Sequence, residues 1–264
     1  MEDLVLIRKE NHIATILFNQ PKIGNALDVD CYHAIMDAVK DCDGDDDVYV
    51  IVFTGVGKHF CSGGNIAWFK QMIDTDTILN ADDVVFSSAL SYAIRNCSKP
   101  TIAMVNHAAF GAGCSIACAC DFRIVTPQTQ FCMAFINVGL SGDTAGQFYL
   151  TKLVGIPLAT EMMLTGKVVG GEEAKAVGLA TQLVEEDKLE EATYKFAKRL
   201  CFGPRLAYKR QKELFNAFLY QHADFAERYD KAEAEYMAET MHSADFAEAV
   251  NAFLEKRRPN FQGK

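Results

Sequence analysis

Two glycine-rich segments hold the residues most able to do chemistry: FCSGGNI at 60–66 and HAAFGAGCSIACACD at 107–121. Each follows a short apolar run and leads into a stretch with helical spacing. Glycine lets a ligand come close to bare backbone, and the first turn of a helix leaves N–H groups without partners. Two such turns facing one another can hold one oxygen between two N–H donors. That is the layout of an oxyanion hole.

The elements that must position these turns follow from the patterning. Residues 4–9 and 13–18 read as a hairpin closed by Asn11-His12, followed by a loop at 19–27 and a helix over 28–42. Residues 49–54 and 100–105 are apolar, β-branched runs that suit buried parallel strands. A helix is expected over 67–73 after the first glycine segment, a second over 84–96, and a third over 112–120 after the other glycine segment. Short strands are expected at 122–125, 130–135 and 180–184, and helices at 144–154, 157–164 and 172–177. From 187 onward the pattern is helical throughout, over 189–200, 204–217, 225–239 and 246–254. The chain therefore reads as an α/β core at 1–186 and a helical region at 187–264.

Bulk properties narrow the function. The 264 residues suit one sizeable domain, and no apolar run reaches the ~20 residues of a membrane span. The first residues lack the basic-then-apolar pattern of a signal peptide, so a cytoplasmic setting is expected, with no membrane partner. The net charge of −9 disfavours nucleic acid, whose phosphates need clustered Lys and Arg. Cys114, Cys118 and Cys120 lie close together but lack paired CxxC spacing and a neighbouring histidine, so buried reduced thiols are expected and no metal.

The chain resembles the crotonase superfamily, the enoyl-CoA hydratases and isomerases, over nearly its whole length. Five segments in order carry the likeness: NQPKIGNAL at 19–27, the 60–66 segment, FGAGCSIACACD at 110–121, LTGK at 164–167 with EEAKAVGL at 172–179, and FLEKRRPNF at 253–261. The resemblance implies a spiral of ββα repeats with a C-terminal α-helical trimerisation region, giving a homotrimer or a dimer of trimers. It implies an acyl-CoA thioester as substrate, with coenzyme A part of that substrate and no separate cofactor. It assigns the two oxyanion donors to the N–H groups of Gly64 and Ala112. Around the CoA it implies Lys22 and Gly24 in the first loop, the backbone of Ser62, Gly63, Gly64, Asn65 and Ile66, and Phe253 and Lys256, which reach the CoA of a neighbouring subunit. Asn65 stands where the family usually has Asp.

The chain departs from the hydratases of that family. Their two water-activating glutamates fall on Ser115 and Phe135, neither of which can serve as a carboxylate base. Asp143, in VGLSGDTAG at 138–146, remains. Local sequence alone reads it as a helix N-cap. The resemblance instead assigns it the proton-shuttling position of family members that move double bonds, the phenylacetate-pathway isomerases above all. They match again from Ser243 to Phe261. The expected reaction is isomerisation of an unsaturated acyl-CoA, with Phe131, Phe135, Ile136 and Phe148 raising the carboxyl's basicity. A hydrolase or hydratase acting on a cyclic or oxo-acyl-CoA, and a non-catalytic acyl-CoA binder, stand as alternatives. His107 reads as structural, while Tyr92 and Tyr149 are open between polarising a substrate and packing.

Overall fold

The computed structural model describes residues 3–219 and 225–262. Met1 and Glu2, part of the stretch read for a leader, lie outside the described residues. Strands β1 (Val5–Glu10) and β2 (Ile13–Phe18) form the expected hairpin. Asn11 and His12 take φ of 51° and 65°, the left-handed pair that a two-residue turn needs to match the strand twist. Next come α1 (Val29–Gly44), β3 (Val50–Gly55), α2 (Ile66–Thr75), the short α3 (Ala81–Val84) and α4 (Phe86–Asn96). Then β4 (Thr101–Val105), β5 (Ala108–Phe110), α5 (Ala112–Ala119), β6 (Phe122–Val125) and β7 (Gln130–Cys132) lead to α6 (Gly146–Thr165). After them come β8 (Val169–Gly170), α7 (Gly171–Ala176), β9 (Gln182–Leu183), α8 (Leu189–Cys201), α9 (Arg205–Leu219), α10 (Phe225–Met241) and α11 (Ala244–Leu254).

A six-stranded sheet runs β1-β2-β3-β4-β6-β9, and a three-stranded sheet runs β5-β7-β8. The chain gives one strand to the large sheet and one to the small sheet, then a helix. Thus β4 and β5 precede α5, and β6 and β7 pair parallel to them one turn later. This is the spiral of ββα repeats. Alternation along the central strands splits the core in two. Ile51, Phe53, Ala103 and Val105 face α1, α4 and α5, while Val50, Val52, Ile102 and Met104 face Leu189, Phe196 and Ala197 of α8.

The structure corrects two local expectations and bears out a third. The strand expected to run to Phe135 stops at Cys132, and Ala134–Val138 winds into a 3-10 turn ended by Gly139 at φ 71°. α6 begins at Gly146 rather than 144, because Thr144 and Ala145 both take positive φ, 61° and 50°. The two helices expected on either side of residue 155 are present: the helical run is interrupted at Gly155 (φ 76°, ψ 166°), and Pro157 stands in the first turn of the second. The helical third divides between two faces. α8 covers the back of the large sheet, while α10 and α11 close over α2, α3 and the 3-10 turn.

Candidate active site

The two glycine segments meet. Cys61 pairs with Ala109 through N–H to O contacts of 3.0 Å (Cys61 to the Ala108 carbonyl) and 2.9 Å (Phe110 to the Cys61 carbonyl). Leu27 bridges to Gly64 from the other side. Two glycines make the approach possible. Gly63 has φ +97°, and a Cβ there would lie 3.0 Å from the Phe110 carbonyl oxygen. Gly111 has φ +50° and ψ −121°, and a Cβ there would lie 3.7 Å from the Cα of Gly63. Among the described residues, neither the Gly64 nor the Ala112 N–H donates to a backbone carbonyl. Ala112 is the first residue of α5, so its N–H is an orphan of the helix start and lies at the positive end of the helix dipole.

Both positions line a cavity of about 560 Å³. Its walls are apolar, drawn from Leu27, Phe69, Val84, Phe135, Leu140 and Met237. Asp143 lines the same cavity and is the one carboxylate that does so among the described residues. Its side chain is not a helix cap, since α6 starts three residues later. Burial, to 8% exposure, pushes its carboxyl up to about 6, while hydrogen bonds from the Thr144 and Ser87 hydroxyls pull the other way. Of the four apolar neighbours expected around it, Phe135 shares the cavity, whereas Phe131 and Phe148 belong to the main core and Ile136 is exposed.

A second set of residues, not expected from the sequence, holds the Asp143 turn. The Thr144 hydroxyl donates to Asp143 Oδ1 at 2.7 Å, and the Tyr32 hydroxyl lies 3.1 Å from Thr144 Oγ1. Thr144 has one hydroxyl proton, so Tyr32 is the donor of that second bond. Burial and the nearby Asp143 charge keep the Tyr32 phenol well above its usual range, and hence protonated. From α4, Ser91 donates to the Thr144 carbonyl at 2.7 Å and Ser87 accepts from the Thr144 N–H at 3.4 Å. Ser88 donates to Glu233 Oε2, which also accepts from the Ala145 N–H at 2.9 Å. The sequence signal for the α4 residues is three serines at helical spacing, a pattern that an exposed polar face gives equally.

The hydratase positions lack carboxylates in the structure as in the sequence. Ser115 is fully buried, bonds back to the Gly111 carbonyl at 3.3 Å and packs on Gly146, outside the cavity lining. Phe135 is a cavity wall.

Of the expected CoA-side residues, Ser62, Gly63, Gly64, Asn65, Ile66 and Phe253 line the cavity, joined by Ile23, whereas Lys22 and Gly24 do not. Gly24 takes φ +66°, its carbonyl accepts from the Ser62 N–H at 3.0 Å, and the Ser62 hydroxyl bonds to the Ile23 carbonyl at 3.2 Å. Lys22 is exposed in the 3-10 turn beside Ile23. Asn65 caps α2, accepting from Ala67 and Trp68 N–H at 3.1 and 3.3 Å, a local task that the amide performs without a charge. Phe253 lies on this chain's own cavity, and the Lys256 N–H bonds to its carbonyl at 3.2 Å, although Lys256 itself does not line the cavity. His107 packs edge-to-face with His59 at 4.9 Å, away from the lining, and burial lowers both rings below the usual histidine range. Tyr92 and Tyr149 pack against one another at 6.4 Å between centroids. The nine cysteines are free thiols. Among the described residues no three His, Cys, Asp or Glu side chains are grouped to hold a metal, and no helix is long and apolar enough to cross a membrane.

The sequence profile of the enoyl-CoA hydratase/isomerase family matches residues 8–264. The chain is 32% identical over 263 residues to the trans-2-decenoyl-[acyl-carrier-protein] isomerase of Streptococcus mutans, covering 98% of each chain. It is 27% identical over 269 residues to the 1,2-epoxyphenylacetyl-CoA isomerase of Escherichia coli, covering all of both. The crystal structure of an enoyl-CoA hydratase from Mycobacterium avium subsp. paratuberculosis superposes with a TM-score of 0.88 at 27% identity, covering 98% of each chain. Matched from residue 8 to its last residue and built on the same spiral, this chain belongs to the enoyl-CoA hydratase/isomerase family, the crotonase superfamily.

Proposed function

We propose that the protein is an enoyl-CoA isomerase that moves a carbon–carbon double bond along an unsaturated acyl thioester. Asp143, ionised at neutral pH, takes the proton on carbon 2 of a 3-enoyl thioester. Electrons flow into the thioester oxygen, and the N–H groups of Gly64 and Ala112 hold the resulting dienolate. Fixed donors stabilise that developing charge more than the neutral carbonyl, and each is worth ~3 kcal/mol in the transition state. The same carboxyl returns the proton at carbon 4, so the double bond moves into conjugation and no atom is gained or lost. One carboxyl suffices when both carbons lie on one face of the dienolate. The chemistry requires neither a metal nor a redox cofactor.

The observation that carries this reading is the single carboxylate in a cavity that also holds both donor positions, with serine and phenylalanine where a hydratase needs glutamates. A carboxyl near pKa 6 suits a group that must both take and give a proton. Apolar walls of Phe69, Val84, Leu140, Met237 and Met241 suit a hydrocarbon acyl tail. Lys22 and the backbone of Ser62, Gly63, Gly64, Asn65 and Ile66 are assigned to the adenosine end of the CoA, and Lys256 and Phe253 to the CoA of a neighbouring subunit. We assign the working form to a homotrimer or dimer of trimers in the cytoplasm.

A hydrolase or hydratase acting on a cyclic or oxo-acyl thioester is the second reading. It is favoured by the hydratase name of a structural neighbour and by a fold and oxyanion pair that would serve it equally. A panel of unsaturated and cyclic acyl thioesters, on CoA and on acyl carrier protein, followed by mass spectrometry, tests both. Product of unchanged mass supports isomerisation. Addition of one water replaces it with the second reading, and no conversion leaves an acyl-CoA binder.

A further inference from the structure

The turn that presents Asp143 is built from two consecutive non-glycine residues in the left-handed region, Thr144 at φ 61° and Ala145 at φ 50°. That conformation costs about 1–2 kcal/mol for each residue and persists only where the surroundings impose it. The Ala145 N–H, at the head of α6, points to Glu233 Oε2 at 2.9 Å, and Ser88 donates to the same oxygen. Glu233 is 6% exposed and comes from α10, some ninety residues further along the chain. Met237 and Met241, one and two turns further along that helix, line the cavity. One stripe of α10 thus provides apolar wall to the substrate and an anchor to the turn.

We propose that Glu233 is the positioning residue of the proton shuttle: its carboxylate clamps the Ala145 N–H and fixes the strained turn so that Asp143 faces the oxyanion pair. This rests on the reading of Asp143 as the shuttle. Glu233 does not line the cavity and does not touch substrate; it acts through the backbone. At this turn its Oε2 accepts from the Ser88 hydroxyl and the Ala145 N–H, which a neutral amide oxygen also does. Removing the acceptor lets the turn relax and moves the carboxyl away from the reacting carbons, and a displacement near 1 Å costs about 100-fold in rate.

The test compares E233A, E233Q, S88A and D143N in the full-length protein with a 3-enoyl-CoA, alongside calorimetric titration with octanoyl-CoA. E233A is expected to lose about 100-fold in kcat while octanoyl-CoA binds at full stoichiometry and unchanged affinity. E233Q is expected to recover most of that loss. A purely structural role would instead lower binding stoichiometry together with rate. Should E233A not fold, S88A decides: a lowered kcat with unchanged binding supports the clamp, and wild-type turnover overturns it. E233A turning over at the wild-type rate, or E233Q as slow as E233A, also overturns it. If D143N is fully active, the shuttle reading itself fails, which separates the two claims.

Discussion

The Thr144 hydroxyl sits 2.7 Å from Asp143 Oδ1 and takes a hydrogen bond from Tyr32 at 3.1 Å, so a buried carboxylate ends a chain of two hydroxyl donors. Burial raises the carboxyl, and the hydroxyls of Thr144 and Ser87 restrain the rise. Their balance, near 6, leaves the group ionised at neutral pH yet basic enough to take a carbon-bound proton.

The pH profile follows. kcat/KM for a 3-enoyl-CoA is expected to fall below pH about 6, tenfold per unit, as Asp143 protonates. T144V removes a donor that favours the charged form, so its acid limb moves to higher pH. Initial rates across pH 4.5–8.5 at ~25 °C, with Tyr32 and Ser87 intact, measure the displacement.

The same shift has a stability consequence of opposite sign to that of a paired carboxylate. The folded-state value, about 6, lies above the ordinary 3.8, so the folded chain holds the proton more tightly. This group's contribution is complete below about 3.8 and is lost as pH rises through about 6. At pH 7 the ionised carboxyl therefore costs on the order of 3 kcal/mol. D143N, which is never charged, is expected to raise Tm at pH 7.5 by several degrees and to lose that advantage near pH 4. Calorimetric scans at the two pH values check it.

The oxyanion pair can be probed by deleting one N–H. Ala112 is the first residue of α5, where proline fits the helix and lacks the donor. A112P is expected to keep the fold by circular dichroism and to lose 10²–10³ in kcat. A loss confined to KM would place the thioester oxygen elsewhere.

Restoring a hydratase glutamate should fail for a steric reason. Ser115 is fully buried, and its hydroxyl is so close to Gly146 that a single added carbon there would overlap it. S115E is expected to destabilise the protein by at least ~2 kcal/mol in urea titrations, through overpacking and burial of a charge, and to add no hydratase activity.

The large sheet was legible because its central strands are short apolar runs flanked by turn residues, and the hairpin because Asn11-His12 can occupy left-handed backbone. The 130–135 stretch misled, since FCMAF is as apolar as a strand, yet Gly139 closes a 3-10 turn and brings Phe135 into the cavity wall. Gly64, Ala112 and Asp143 could be named from motif positions, and they meet in one cavity. Their supports could not. Ser87, Ser88 and Ser91 have the spacing of a wet helix face, and only the packing of α4 against the 143–145 turn makes them a buried donor row. Glu233 lies in a helix rich in acidic residues, and nothing local separates it from Glu235 or Glu239.

The most direct test of the central claim is the ultraviolet absorbance of the conjugated product when wild-type protein and D143N are each mixed with 3-decenoyl-CoA. The account predicts rapid formation of the 2-enoyl thioester by the wild type, and a rate lower by 10² to 10⁴ in D143N, the range set by loss of a general acid–base group. Equal rates for the two proteins would contradict it.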